Sequence, residues 1–86
     1  MFTIKFYRTG RLKILEAESF TILQDNSGNA EITLHRKGGG DDVRYDIISN
    51  PTPDRLGREF WPEIFDKAII ENSAGRTTEI IVPSPK

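Results

Sequence analysis

The chain has no cysteine, one histidine, one tryptophan, and no apolar run near the roughly 20 residues that cross a bilayer as a helix. Without cysteine, neither a disulfide nor a thiolate zinc site can supplement the core. A cysteine-free chain fits a reducing compartment, so a cytoplasmic location is the expectation. Excess charge is missing too. Twelve Lys plus Arg against thirteen Asp plus Glu leave a formal charge of -1, which argues against non-specific binding along a phosphate backbone. The N-terminus alternates polar and apolar residues from Phe2 to Phe6, unlike the continuous apolar stretch of a signal peptide. With 86 residues, 36% hydrophobic and 29% charged, the composition is that of a soluble globular protein. One small β domain over 1–86 is expected, with room for a modest core and a flexible tail at 83–86.

What the chain does have is paired aliphatic residues. Ile14-Leu15, Ile22-Leu23, Ile47-Ile48, Ile69-Ile70 and Ile80-Ile81 each fall in a strand-like segment. Neighbouring side chains of a strand point to opposite faces, so each pair puts apolar surface on both sides of a sheet. A two-layer protein of this size needs only one apolar face per sheet. The other face must be covered by more sheet, by the segment around 51–65, or by a second chain.

Phe2 to Tyr7 alternates as a half-buried antiparallel strand, with Phe2, Ile4 and Phe6 on one face. Arg8-Thr9-Gly10-Arg11 forms a turn, Gly10 supplying the positive φ of a tight hairpin, and Leu12 to Ala17 returns. Ser19 to Gln24 and Ala30 to Arg36 make a second hairpin across Asp25-Asn26-Ser27-Gly28-Asn29. Val43 to Ile48 is a further strand after the connection Lys37 to Asp42. The β rhythm breaks over 49–66, where Thr52-Pro53 opens a short helical excursion that Gly57 and Trp61-Pro62 interrupt. Lys67 to Glu71 and Thr77 to Val82 form a third hairpin. The expected fold class is mainly β: about seven short antiparallel strands in a small barrel or sandwich, with one helical excursion before the last hairpin.

Catalytic chemistry finds little foothold. His35 is expected on the solvent side of its strand, and no serine sits in a nucleophile elbow. Lys37-Gly38-Gly39-Gly40-Asp41-Asp42 lacks the spacing and Lys-Ser/Thr ending of a P-loop. The Asp25 to Asn29 run resembles a calcium loop only superficially, lacking the sixth-position glycine and the later glutamate. Carboxylates are scattered singly, Asp46 and Glu71 within strands, with no glycosidase-type pair. The expectation is no enzyme, no catalytic residue, no cofactor and no metal.

Two clusters bear on binding. Arg55, Arg58, Phe60 and Trp61 combine the residue types that dominate interface hot spots and form the tentative partner-binding set, although plugging the core is the favoured role of Trp61, with Arg55 and Arg58 facing outward. Lys5, Tyr7, Arg8, Arg11 and Lys13 hold four cations and an aromatic in one hairpin, the ingredients of a single-strand nucleic-acid platform. The leading expectation is a non-enzymatic protein-interaction module. It would self-associate as a homodimer, or dock on a larger assembly as a subunit or inhibitor in the manner of phage or mobile-element accessory proteins. A small nucleic-acid-binding β-barrel using the basic hairpin is the alternative. No membrane partner is expected.

Overall fold

The computed structural model describes residues 1–25, 28–36, 40–49 and 61–83, Trp61 by its backbone alone. Eight strands run in the order β1 (Phe2–Arg8), β2 (Arg11–Ala17), β3 (Ser19–Gln24), β4 (Ala30–His35), β5 (Val43–Ile47), β6 (Ile64–Phe65), β7 (Lys67–Glu71) and β8 (Thr77–Ile81). They form two four-stranded sheets, β2-β1-β7-β8 and β3-β4-β5-β6. The mainly β expectation holds, and of its two architectures the structure takes the sandwich: neither sheet closes into a barrel.

Seven strands stand where alternation places them. The first hairpin pairs Arg8 with Arg11 across Thr9-Gly10, and Gly10 takes φ 72° as the two-residue turn requires. Asn72 closes the third hairpin, its Oδ1 accepting from the backbone N–H of Ala74 and Arg76, both at 3.0 Å. Two features depart from expectation. An eighth strand, β6, lies inside the anticipated excursion and pairs parallel with β5 through Asp46–Ile64 and Ile47–Phe65, so the sheets are not wholly antiparallel. The part of the excursion that is described contributes one 3-10 turn, Trp61–Glu63. The Thr52-Pro53 cap lies outside the described residues.

The two sheets meet through aromatic contacts. Along β1, Phe2 meets Phe20 of β3, while Phe6 meets Tyr45 of β5 and Phe65 of β6, at ring-centroid distances of 5.0, 4.6 and 5.2 Å. One strand of the first sheet thus reaches three strands of the second, β3, β5 and β6. Single-residue corners carry the chain between sheets. Glu18 joins β2 to β3 and donates its N–H to the His35 carbonyl at 3.0 Å; Asp66 joins β6 to β7 and donates to the Tyr7 carbonyl at 2.9 Å. Both corners satisfy backbone groups that a sharp bend otherwise strands.

The inward faces supply one core: Ile4 and Phe6 from β1, Ala68 and Ile70 from β7, Ile32 and Leu34 from β4, Tyr45 and Ile47 from β5, and Phe65 from β6. Among the described residues, no polar or charged side chain is buried, so apolar burial is what this interior contributes. No helix among them is long and apolar enough to cross a membrane.

Candidate functional site

Core packing uses one member of each aliphatic pair. Ile70, Ile47 and Ile81 turn inward, as do Leu15 and Ile22 with partial burial. Their sequence neighbours emerge on the outer faces, and the two outer faces differ.

On the first sheet, strand register fixes three rows. The middle row is Ile14, Lys5, Ile69 and Ile80, each opposite the next across β2, β1, β7 and β8. One side of it holds Leu12, Tyr7 and Lys67; the other holds Glu16, Thr3 and Glu71. Leu12 is 52% exposed, Ile14 53% and Ile80 60%. Lys5 does not break the row. Its Nζ reaches 3.0 Å to Glu71 in the neighbouring row, leaving the methylene stem between Ile14 and Ile69. The hydrogen bond to the Glu71 carboxylate, then its charge, hold the Lys5 pKa above the ordinary lysine value. Lys67 is drawn over the Tyr7 ring, 5.7 Å from its centroid. The two cations on this face are thus folded onto their neighbours, and the aliphatic groups stand clear.

The outer face of the second sheet is polar. Arg44 pairs with Glu31 at 2.8 Å and approaches Asp46 at 4.0 Å. Burial raises the Asp46 pKa, Arg44 opposes that shift, and Glu31 and Glu63 add to it. An open groove of about 480 Å³ runs past Leu23, Glu31, Asp46 and Ile48. Leu23, 61% exposed, is the large apolar side chain standing on this face. His35 is on the solvent side as alternation predicts, but it is bridged. Its Nε2 lies 2.9 Å from Thr21 Oγ1 and its Nδ1 2.9 Å from Asp42 Oδ2. That is the order of a hydroxyl, a base and an orienting carboxylate. The three sit on an exposed sheet surface, where the contacts tie the β4–β5 connection to β3.

The basic hairpin residues separate. Lys5 and Tyr7 belong to the outer face. Arg8, Arg11 and Lys13 project from the other side of the hairpin toward the second sheet, so the five do not form one outer cluster at its tip. Arg8 and Arg11 each stand 5.6 Å from the centroid of the same Phe65 ring, and Lys13 Nζ stands 5.2 Å from that of Tyr45. Arg8 also donates to the Ile64 carbonyl at 3.0 Å. Burial, then the nearby Arg11 charge, lowers the Arg8 pKa, with Asp66 acting oppositely. Phe65 is 0% and Tyr45 3% exposed, so neither ring offers a base a face to stack on.

Arg55, Arg58 and Phe60 lie outside the described residues, as does the side chain of Trp61. Among the described residues no group of three His, Asp or Glu side chains is placed to hold a metal ion. The surface row Ile14–Ile69–Ile80 was signalled by the aliphatic pairs, but only register joins its members. Comparison of the chain with protein-family models, with curated proteins and with solved structures finds no match.

Proposed function

We propose that this protein is a non-enzymatic protein-interaction module whose working surface is the outer face of the β2-β1-β7-β8 sheet. One observation carries the reading. Leu12, Ile14 and Ile80 stand about half exposed or more around partly covered Ile69 on one face, while the opposite outer face is dressed with ion pairs and hydroxyls. Apolar side chains gathered on one face and rimmed by charge are the usual composition of a docking patch. The sandwich core is complete without them, so their removal leaves the fold intact.

The test is affinity capture by three immobilised proteins: the wild type, an Ile14→Ser/Ile80→Ser variant, and a Leu23→Ser control altered on the other face. The expected result is partner capture, of a second copy or another protein, by the wild type and the control and its loss in the double variant, all three remaining folded at the temperature of the assay. Equal capture by all three would refute the assignment.

The convergence of Arg8, Arg11 and Lys13 supports the second reading, a nucleic-acid-binding domain. It requires binding to a single-stranded oligonucleotide that weakens with salt and disappears on reversing those three charges. Binding that survives the reversal, or no binding at low salt, eliminates it.

A further inference from the structure

We infer that the partner on this face is a second copy of the chain, stacked face to face about a two-fold axis along the Ile14–Lys5–Ile69–Ile80 row. The inference rests on the interaction reading above and specifies its occupant. The rows on either side of the aliphatic row are unlike: Glu16 and Glu71 occupy one, Lys67 the other. A two-fold axis along the middle row exchanges those two rows between copies. Leu12 then lies over Glu16 of the other chain, Tyr7 over Thr3, and Lys67 over Glu71. Each Glu71 carboxylate, already 3.0 Å from Lys5 of its own chain, receives Lys67 of the other. The face carries two acidic and two basic residues and so no net charge; the axis brings the two Lys5 residues opposite each other, and each is neutralised by Glu71 of its own chain. An isologous contact of this kind closes on itself as a dimer.

Edge-to-edge association is less well served. Lys13, on the β2 edge strand, points inward over Tyr45. The β8 edge is five residues long and joins β7 through a register shift at Ile70/Glu71. Inward charges, short strands and bulges are the devices that keep sheet edges from pairing.

Size sets the strength. Four strands about 4.8 Å apart and five residues of about 3.4 Å each give a footprint of roughly 320 Å². That is well below the ~800 Å² per partner of a standard interface, so the pair belongs with weak, reversible contacts. Dimer is expected at high micromolar concentration and monomer at low micromolar.

The test exploits the predicted Lys67–Glu71 exchange. Sedimentation equilibrium is run on wild type, Lys67→Glu, Glu71→Lys, and an equimolar mixture of the two variants. Each variant alone places like charges opposite one another twice and is expected to dimerise about tenfold more weakly than wild type. The mixture restores both opposite-charge pairs and is expected to recover association. Thermal melts of each variant ensure that only folded protein is compared. As a geometric check, Ile69→Cys introduces the only thiol of the chain close to the axis. Facing sheets lie about 10 Å apart, so a short bis-maleimide should join two copies at position 69 and fail with Leu23→Cys on the opposite face. A Lys67→Glu protein as dimeric as wild type, a mixture no better than its components, or a wild type monomeric at high micromolar concentration would each overturn the two-fold arrangement. A monomeric wild type whose Ile14/Ile80 face still captures another protein removes this occupant alone; one that captures nothing removes the interaction reading with it.

Discussion

Two isoleucines ten residues apart offer a sharp test of the sandwich. Ile70 is 0% exposed in the core, whereas Ile80 is 60% exposed on the outer face. Replacing Ile70 by alanine removes three buried carbons and leaves a cavity, at a cost of about 2–5 kcal/mol. Fully burying an isoleucine stabilises by about 1.5–3 kcal/mol, so a side chain keeping about two fifths of its surface covered contributes roughly 0.6–1.2 kcal/mol. Loss of β-branching weakens both strands by up to ~1 kcal/mol and largely cancels in the difference. Ile70→Ala should therefore cost at least ~1 kcal/mol more than Ile80→Ala, and at about 4–8 °C per kcal/mol the two melting temperatures should separate visibly. The assay is urea unfolding followed by far-ultraviolet circular dichroism at low micromolar protein, where association does not add to stability. Equal midpoints, or a larger loss at Ile80, would mean that the inward and outward assignments of β7 and β8 are wrong.

Other consequences follow from the same structure. Phe65 packs at 5.2 and 6.0 Å from the Phe6 and Tyr45 ring centroids, with two guanidiniums beside it. Phe65→Ala should cost about 3–5 kcal/mol, a large share of the roughly 4–13 kcal/mol expected for a chain of this length, and Phe65→Leu clearly less, as read by denaturant midpoints. Gly10→Ala puts a side chain on a φ of 72°, with no neighbour within 4 Å of the new Cβ, so strain alone should lower stability by about 1 kcal/mol. Because burial raises the Asp46 pKa, the folded state holds that proton more tightly than the unfolded chain does. This group's stabilising contribution is present below the ordinary aspartate pKa and is lost as pH rises through the raised value. Asp46→Asn should remove that component, so its stability should gain on wild type as pH rises from acid to neutral. A wild type that gains on the variant over that range would show that the Arg44 interaction outweighs burial.

Seven of the eight strands were legible because their signals are local: alternation of polar and apolar residues, bounded by Gly10, Gly28 and Gly75, which take positive φ. β6 was not, since two residues, Ile64 and Phe65, carry no period and pair parallel only because β5 is already in place. The separation of Lys5 and Tyr7 from Arg8, Arg11 and Lys13 follows from parity once Arg8 pairs with Arg11. Charge clustering read along the chain ignored that parity. The Thr21–His35–Asp42 chain joins two strands and a connection, and no spacing announces it. The aliphatic pairs announced a second apolar side. Which outer face is the greasier one depended on register, which brings Ile14, Ile69 and Ile80 into line while Leu23 stands among polar groups.

The most direct test of the account maps where chains meet. Backbone amide spectra of isotopically labelled protein are recorded from low to high micromolar concentration, and the shifts that change are assigned. Changes are expected on β1, β2, β7 and β8, centred on Lys5, Ile14, Ile69 and Ile80 and abolished by Ile14→Ser/Ile80→Ser. Concentration-independent spectra, or changes gathered on β3 to β5 or along the strand edges, would contradict it.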